Sequence, residues 1–269
     1  MIVRCPAKVN LFLSVGQRDE TGYHPIRTVF QAVGLFDELT VNESESDSFD
    51  CDWPDIPAEN TVTAALRLLQ REIAIPPLGI SLVKRIPRQA GLGGGSSDAA
   101  GLIRAVRKLI PDQLTDTAAQ RIALAVGADV PFFLMGGRAT ACGYGEKLEA
   151  QPDDASKWFL IVMPSTRVDT SEAYTRLDAL NPSLKTFPAA GGLHNDFEAV
   201  APFECAQLSD RLRVHGAEDA LLCGSGSAVF GMFDSASTAG AAQAKMQEEG
   251  VGDSWLAPAL TREESLWIS

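Results

Sequence analysis

The chain has 269 residues, 45% of them hydrophobic, and a formal net charge of −12. This length suits two domains or one large domain, and the apolar content is sufficient for a proper core. The acidic balance argues against a nucleic-acid-binding surface, which needs clustered Lys and Arg, although one locally positive loop can still bind a nucleotide.

Further limits on the class of protein come from the cysteines, the histidines and the first residues of the chain. Five scattered cysteines form no C-x-x-C pair, which favours a reducing compartment with cysteines as small buried residues. The three histidines lack zinc spacing. Arg4, Lys8 and Asn10 interrupt the opening stretch, so it does not resemble a signal peptide, and no apolar run is long enough to span a membrane. We therefore expect a soluble cytoplasmic protein.

Residues 8–15 alternate between apolar and other side chains and predict a strand with one side on the core. The other side of this strand brings Lys8 and Asn10 together, an ammonium beside an amide. Because most lysines are solvated, an edge strand with no chemical role is the alternative.

The next loop, RDETGYHPI at residues 18–26, carries an aromatic ring and an imidazole where turns are usually small and polar. Tyr23 and His24 are typical of a ligand platform on a loop. Packing against the edge of the core explains them equally well. After an acidic, proline-containing stretch at 43–59, Asn60 is placed to cap a helix that ends before Pro76.

The stretch PRQAGLGGGSSDAA at residues 87–100 follows a predicted strand at 79–86 and precedes a helical apolar stripe that Pro111 ends. A strand, a glycine-rich loop and a helix N-terminus direct backbone N–H groups at one point, which is a site for an anion such as phosphate. Ser96 and Ser97 could cap this helix or contact the phosphate or its metal. The motif is neither a Walker A loop, since no lysine follows the glycines, nor a full G-x-G-x-x-G pattern, since Ser96 takes the last position. A flexible surface loop is the alternative.

A helix at about 117–126 is predicted to end at Gly127 in a left-handed cap, just before the sequence ADVPFFLMGG. Asp129 lies between a helix end and an apolar run, so its carboxylate should be partly desolvated and suited to act as a base. Capping of a short helix with Pro131 in its first turn is an equally good explanation.

The second half alternates strands and helices, so the fold class is α+β. The polar stretch at 151–154 predicts a domain boundary, with an N-terminal domain at 1–152 and a C-terminal domain at 153–269. The GSGS turn at 224–227 fits either a second phosphate-facing nest or an ordinary hairpin turn.

Taken together, these motifs resemble a known family. The stretch at 87–100 is similar to the ATP-binding signature of the galactokinase–homoserine kinase–mevalonate kinase–phosphomevalonate kinase superfamily, the GHMP kinases. Four further motifs occur in the same order as in one branch of this superfamily. They are PAKVNLFLSV at 6–15, GYH at 22–24, GADVP at 127–131 and GSGS at 224–227. That branch phosphorylates a cytidine diphosphate ester of methylerythritol in the non-mevalonate route to isoprenoids.

The resemblance implies a two-domain fold, the first domain like the second domain of ribosomal protein S5 and the second ferredoxin-like. It also implies transfer of the γ-phosphoryl of ATP to the 2-hydroxyl of the methylerythritol unit, with Mg²⁺ as the accompanying ion. Lys8 and Asp129 match the catalytic pair, and Asn10 matches a residue beside the reacting hydroxyl. The residues matching the ATP-phosphate loop are Pro87, Arg88, Gln89, Ala90, Gly91, Leu92, Gly93, Gly94, Gly95, Ser96 and Ser97.

Four further residues match the substrate site of the family. Tyr23 and His24 correspond to the cytidine-binding aromatic and histidine. By register from Pro164, Thr170 is a pocket residue and Tyr174 the second stacking aromatic, where family members can carry phenylalanine. No protein ligand for Mg²⁺ is assigned, although Ser97 is a candidate, and we expect a monomer or weak dimer that binds neither nucleic acid nor membrane.

Three other functions compete with this one. A kinase of another small alcohol, such as homoserine or mevalonate, would not need Tyr23 and His24, because those substrates have no cytosine. A nucleotide-binding module without catalysis would not need both Lys8 and Asp129. A dinucleotide-dependent dehydrogenase is disfavoured by Ser96 and by the lack of an acidic residue at the expected strand end.

Overall fold

Eleven strands and nine helical segments are found in the computed structural model, which describes residues 1–188 and 192–269. The strands are β1 Ile2–Val15, β2 Ile26–Glu43, β3 Ser48–Cys51, β4 Leu78–Val83, β5 Arg138–Cys142, β6 Lys147–Ala150, β7 Trp158–Met163, β8 His194–Asn195, β9 Asp219–Leu222, β10 Val229–Phe233 and β11 Asp253–Pro258. The α-helices are α1 Thr61–Glu72, α2 Gly94–Leu109, α3 Asp116–Val126, α4 Val130–Met135, α5 Thr170–Asp178, α6 Phe203–Val214, α7 Ala236–Glu248 and α8 Arg262–Ser265, with a 3₁₀ turn at Asp196–Ala199.

The strands form two sheets. In the first, the order is β3-β4-β2-β1-β8, with β5 pairing with β2 and β6 with β5. Strand β2 is 18 residues long, so its first half pairs with β5 while its second half pairs with β4. The first sheet therefore includes a strand, β8, that comes from the second half of the sequence.

The second sheet has the order β11-β7-β10-β9, and all its pairs are antiparallel. With α6 between β7 and β9, and α7 between β10 and β11, it follows the β-α-β-β-α-β sequence of a ferredoxin-like domain. This confirms the predicted class of the C-terminal half. The domain boundary at 152/153 stays a prediction.

The two sides of β1 are both buried, but in different surroundings. Val9 and Leu11 are buried in an apolar cluster where the first sheet meets β7, β9 and β10 of the second. On the opposite side of the strand, Lys8 is only 4% exposed and Asn10 only 2%. The alternative of an edge strand with a solvated lysine is wrong, because Lys8 is buried and its backbone N–H donates to Leu92 O at 3.0 Å.

The helix boundaries follow local chemistry at α1. The Asn60 side chain accepts hydrogen bonds from Val62 N and Thr63 N, at 2.9 and 3.1 Å, and Thr63 Oγ1 accepts from Asn60 N at 2.9 Å. This reciprocal capping box satisfies backbone donors that the helix itself cannot. The predicted Asn60 cap is confirmed.

The predicted left-handed cap at Gly127, at the end of α3, is wrong. Gly127 has φ 176°, an extended conformation, and does not form a left-handed cap. Its N–H still donates to Ala123 O, while its carbonyl accepts from Val130 N at 3.1 Å. Extended backbone at this residue lets the chain leave α3 and begin α4 almost at once.

The cysteines are all unpaired by disulfides, and Cys5, Cys205 and Cys223 are buried as expected. Cys142 is exposed at the end of β5, so the prediction of buried cysteines is wrong for this residue. Among the residues described, no helix combines the length and apolar composition needed to cross a bilayer.

Candidate active site

A cavity of about 690 Å³ opens between the two halves of the molecule. The first half contributes β1, the glycine-rich segment and the start of α4; the second half contributes α5 and the β9–β10 turn. The predicted residues that line it are Lys8, Asn10, Pro87, Arg88, Gln89, Ala90, Gly91, Leu92, Gly93, Gly94, Gly95, Ser96, Asp129, Thr170 and Tyr174. The structure therefore brings together most of the residues that the sequence motifs selected.

The glycine-rich segment ends in the first turn of α2. Gly93 takes the N-cap position in a left-handed conformation, and the first helical hydrogen bond runs from Ser97 N to Gly93 O at 2.9 Å. The N–H groups of residues 94–96 precede that bond and lie at the positive end of the helix, beside the cavity. Ser96 and Ser97 lie inside the helix, so the prediction that they cap it is wrong: the left-handed glycine has taken that place.

Close backbone contacts fix the course of this segment. Leu92 O accepts from Lys8 N at 3.0 Å, and Gln89 O accepts from Ser227 N at 3.0 Å. Gly91 has φ +74°, and a Cβ built on it would lie 1.8 Å from Cys223 O. Only glycine allows this approach, so the loop rests directly on the β9–β10 turn.

That turn joins two antiparallel strands, as a hairpin does, and Gly224 and Ser225 also line the cavity. Asn195 Nδ2 donates to Leu222 O and Gly224 O, each at 2.8 Å, which holds the turn in place. A Cβ on Gly224 would lie 3.2 Å from Lys8 Nζ. The GSGS turn is therefore a hairpin whose tip forms part of the cavity wall.

A chain of hydrogen bonds orients Lys8. Its ammonium donates to Asn10 Oδ1 at 2.8 Å, and Asn10 Nδ2 donates to Thr28 Oγ1 at 2.7 Å. Thr28 Oγ1 in turn donates to Phe12 O at 2.7 Å. Because Thr28 fixes which end of the amide faces Lys8, Asn10 presents its oxygen to the ammonium.

Asp129 precedes α4 in the N-cap position, but its side chain makes no capping hydrogen bond. Its carboxylate Oδ2 instead lies 3.7 Å from Lys8 Nζ, with 33% of the side chain exposed. Of the two explanations left open by the sequence, the missing capping bond argues against the cap, and the role as a base stays a prediction.

A second charged cluster lies beneath the glycine-rich segment. Lys84 Nζ bridges Asp37 and Asp98, and Asp37 Oδ1 also accepts from Arg85 N and Ile86 N, at 2.5 and 2.8 Å. Burial lowers the pKa of Lys84, but the charges of Asp98 and Asp37 outweigh it and raise that pKa. The ammonium therefore ties β2 to both ends of the loop.

Asp98 should make stability depend on pH. Burial, and then the charge of Asp37, raise the pKa of Asp98 to about 8. Between about pH 4, where a carboxyl in the unfolded chain ionises, and about pH 8, the folded protein holds one more proton than the unfolded chain. Unfolding free energy should therefore fall as pH rises, by at most about 1.4 kcal/mol per pH unit for this one group.

The variant Asp98→Asn keeps the shape of the neutral acid and has no proton to lose. Its unfolding free energy should fall less steeply with pH across the same range. Urea unfolding of both proteins at intervals between about pH 4 and about pH 8 measures the difference in slope. Parallel profiles would mean that Asp98 is ionised throughout.

The far end of the cavity is aromatic. Tyr174 packs edge-on against Phe197, with ring centroids 4.8 Å apart, and Thr170 Oγ1 lies 3.1 Å from Ser225 Oγ. Burial, and then the charge of Asp129, raise the pKa of Tyr174 to about 12, so its hydroxyl stays neutral.

Tyr23, His24 and Ser97 do not line the cavity, although sequence reasoning placed all three at the site. Tyr23 is 68% exposed, and its ring centroid lies 5.7 Å from that of Tyr144. His24 is buried with its ring 4.9 Å from Tyr174, so it lies directly beside the cavity. The roles assigned to these residues stay predictions.

The protonation of the His24 ring follows from its partner. Nδ1 lies 2.9 Å from Gly16 O, and a carbonyl only accepts, so Nδ1 carries the hydrogen. Nε2 is buried without a hydrogen-bond partner and lies 3.4 Å from Asp178 Oδ1.

Several lining residues were not predicted. They include Trp53, Asn60, Thr61, Lys84, Asp98, Tyr144 and Phe197. Lys84 left a signal in the sequence, since it interrupts the apolar side of a strand. Thr28, which orients Asn10, left none.

The residues present fit ATP better than they fit a metal held by the protein. The N–H groups at the start of α2 suit phosphate oxygens. Across residues 1–188 and 192–269, no group of three or more His, Cys, Asp or Glu side chains could hold a metal ion. Ser97 Oγ is buried without a partner and lies off the cavity wall, which does not support it as a ligand.

Comparisons with known proteins match both halves of the chain to one family. The family model for the N-terminal domain of GHMP kinases matches residues 60–137, and the model for their C-terminal domain matches residues 189–252. A 4-diphosphocytidyl-2-C-methyl-D-erythritol kinase of Pelobacter propionicus is 36% identical over 274 residues, covering 96% of this chain and 97% of that protein. One from Syntrophus aciditrophicus is 36% identical, covering 91% of this chain and 94% of the relative.

The solved structures agree as well. A crystal structure of 4-(cytidine 5'-diphospho)-2C-methyl-D-erythritol kinase matches with a TM-score of 0.81 at 34% identity, covering 96% of this chain and 98% of that one. A homoserine kinase from Cytophaga hutchinsonii matches with a TM-score of 0.71 at 18% identity, covering 96% of this chain and 94% of that one. At this identity the match shows a common fold and nothing more. The predicted two-domain α+β fold is confirmed.

Proposed function

Because this chain belongs to the GHMP kinases, and within them to the 4-diphosphocytidyl-2-C-methyl-D-erythritol kinases, we propose that it phosphorylates that substrate. ATP supplies the γ-phosphoryl group, and the 2-hydroxyl of the methylerythritol unit accepts it. The observation that carries the proposal is the Lys8–Asp129 pair at 3.7 Å, in a cavity that also contains the glycine-rich segment.

The chain's own residues supply alignment and charge, which is most of what phosphoryl transfer requires of a protein. Asp129 accepts the proton of the attacking hydroxyl. Lys8 offsets negative charge on the acceptor oxygen and on the transferred group. Asn10 holds the Lys8 ammonium in place and lies beside the reacting hydroxyl.

The N–H groups at residues 94–96 hold the ATP phosphates at the positive end of α2. Mg²⁺, when bound, would neutralise phosphate charge, and we assign it no protein ligand.

The cytidine end of the substrate is proposed to bind between the two halves. Tyr174 lines the cavity and Tyr23 is exposed on the facing loop, so both can stack on a pyrimidine ring. With Nδ1 bonded to Gly16 O, His24 Nε2 is the acceptor that suits the amino group of cytosine.

Replacing Tyr23 by alanine is expected to raise KM for the cytidylated substrate by roughly 10- to 100-fold, the usual contribution of one stacked base. KM for ATP should not change, because Tyr23 does not line the cavity wall that includes the glycine-rich segment. Since Tyr23 is 68% exposed, Tm should also be unchanged. Steady-state kinetics with each substrate varied in turn measures the split. Equal losses for both substrates would place Tyr23 in a structural role.

The proposed reaction is tested by ADP release with ATP, Mg²⁺ and the cytidylated methylerythritol substrate, with homoserine and mevalonate as controls. Turnover with the first substrate alone supports both reaction and specificity. Turnover with homoserine or mevalonate would still support a kinase but would contradict the proposed cytidine site. ATP binding with no turnover on any of them would favour a module without catalysis.

A further inference from the structure

Tyr144 lies at the tip of the turn between β5 and β6, and it was not among the residues that sequence reasoning selected. The turn is firmly placed: Gly143 O accepts from Ile26 N at 2.7 Å, and Glu146 Oε2 accepts from Tyr144 N at 2.6 Å. Gly143 and Gly145 have positive φ, which the tight turn requires. Tyr144 therefore projects from a rigid support, and part of it lines the cavity.

The Tyr144 hydroxyl reaches the loop at residues 17–25, which we call the acceptor loop. It donates to Asp19 Oδ2 at 2.7 Å and lies 3.0 Å from Thr21 Oγ1. Hydrogen bonds from Thr21, and then from Tyr144, hold the pKa of Asp19 below its usual range. Its carboxylate is therefore ionised and accepts both bonds at neutral pH.

Asp19 organises the rest of the acceptor loop. Its side chain accepts from Thr21 N at 2.9 Å, its carbonyl accepts from Gly22 N at 3.0 Å, and its N–H donates to Tyr23 O at 2.9 Å. Contact with Tyr144 thus extends, through Asp19, to the backbone of Tyr23. The two rings also lie against each other, 5.7 Å apart at a 53° angle.

The opposite side of the acceptor loop is held from the second half of the molecule. Asp178, at the end of α5, lies 3.6 Å from Arg18 and 3.4 Å from His24. The Arg18 contact is a long and partly solvated ion pair, so it contributes little alone. The Tyr144 hydroxyl supplies the shorter and more directional restraint.

We propose that Tyr144 is a positioning residue for the acceptor substrate: its hydroxyl, through Asp19 and Thr21, holds the acceptor loop so that Tyr23 and His24 stay beside the cavity. This role rests on the proposed function for its substrate, but the restraint on the loop is a property of the protein alone. The proposed function assigns the reacting atoms to Lys8 and Asp129 and not to Tyr144, so the effect of Tyr144 should fall on substrate binding rather than on turnover.

The test is Tyr144→Phe, which removes the hydroxyl and keeps the ring. KM for the cytidylated substrate should rise by about 3- to 10-fold, the net contribution of one solvent-exposed hydrogen bond. The kcat of the reaction and the KM for ATP should both stay within about twofold of the parent values. Hydrogen–deuterium exchange of peptides covering residues 17–25, without substrate, should become faster.

Tyr174→Phe is the matched control. It removes a hydroxyl from another tyrosine of the cavity wall, one with no hydrogen bond to the acceptor loop in the described structure. Exchange of residues 17–25 should stay as in the parent. Asp19→Asn tests the same contact from the loop, and the double variant with Tyr144→Phe should bind no worse than the more affected single variant.

Unchanged exchange of the acceptor loop in Tyr144→Phe would overturn the proposal, as would additive effects in the double variant. A parallel rise in KM for ATP would also overturn it, because a general structural role would then suffice. If the enzyme turned over none of the cytidylated substrate, the proposed function would fail, while the exchange experiment would still decide whether Tyr144 restrains the loop.

Discussion

Replacing Asp129 by asparagine is expected to lower kcat by about 10²- to 10⁴-fold, the usual contribution of a positioned general base. The amide keeps the size of the side chain but cannot accept the hydroxyl proton. Because Asp129 makes no capping hydrogen bond, α4 loses nothing and Tm should hold. Single-turnover kinetics measures the chemical step, and calorimetry with ATP should give an affinity close to that of the parent.

Asp116→Asn is the control for this change. Asp116 also lies at the start of a helix, but it is exposed and pairs with Arg107 on the surface. This variant should retain kcat. If Asp129→Asn kept activity within about tenfold of the parent, less than such a base normally contributes, then Asp129 would not be the base and the Lys8 ammonium alone would have to activate the hydroxyl.

The second large effect is expected at Gly91. A methyl group there would lie 1.8 Å from Cys223 O, and φ +74° disfavours any L-residue. Gly91→Ala should therefore separate the glycine-rich segment from the β9–β10 turn. We expect a loss of about 3 kcal/mol in unfolding free energy, together with weaker ATP binding. Chemical denaturation and calorimetry measure the two effects.

Gly250→Ala separates the clash from the backbone conformation. Gly250 has φ +68°, and nothing lies within 4 Å of a Cβ built on it. It should cost only about 1 kcal/mol, the strain of the left-handed conformation. Similar losses at both glycines would mean that the glycine-rich segment moves away from Cys223 at little cost.

Features set by neighbouring residues were predictable from the sequence. Alternation over residues 8–15 predicted β1 and placed Lys8 beside Asn10. The order strand, glycines, helix predicted β4 and α2 on either side of the glycine-rich segment. The Asn60 cap depends on residues within three positions of it, so it too could be read locally. The sequence did not decide whether Asp129 is a base or a helix cap, because its distance to Lys8 depends on how α4 packs against β1.

Features set by distant residues were not predictable in the same way. Asp37, Lys84 and Asp98 meet only after β2, β4 and α2 have packed, and in the sequence Lys84 is simply an interruption of an apolar pattern. Tyr144 and Asp19 are 125 positions apart. The wrong cap at Gly127 has a related cause, since the immediate start of α4 sets its conformation.

The pairing of β8 with β1 has a consequence for how the protein is made. Phe12 and Leu13 pair with His194 and Asn195, and Val15 N donates to Asp196, 181 positions along the chain. While the ribosome synthesises the first half, this edge of β1 has no partner, and an unpaired strand edge invites association with other chains. Closure over so long a separation is slow, so the strand that carries Lys8 and Asn10 completes its sheet only late in biosynthesis.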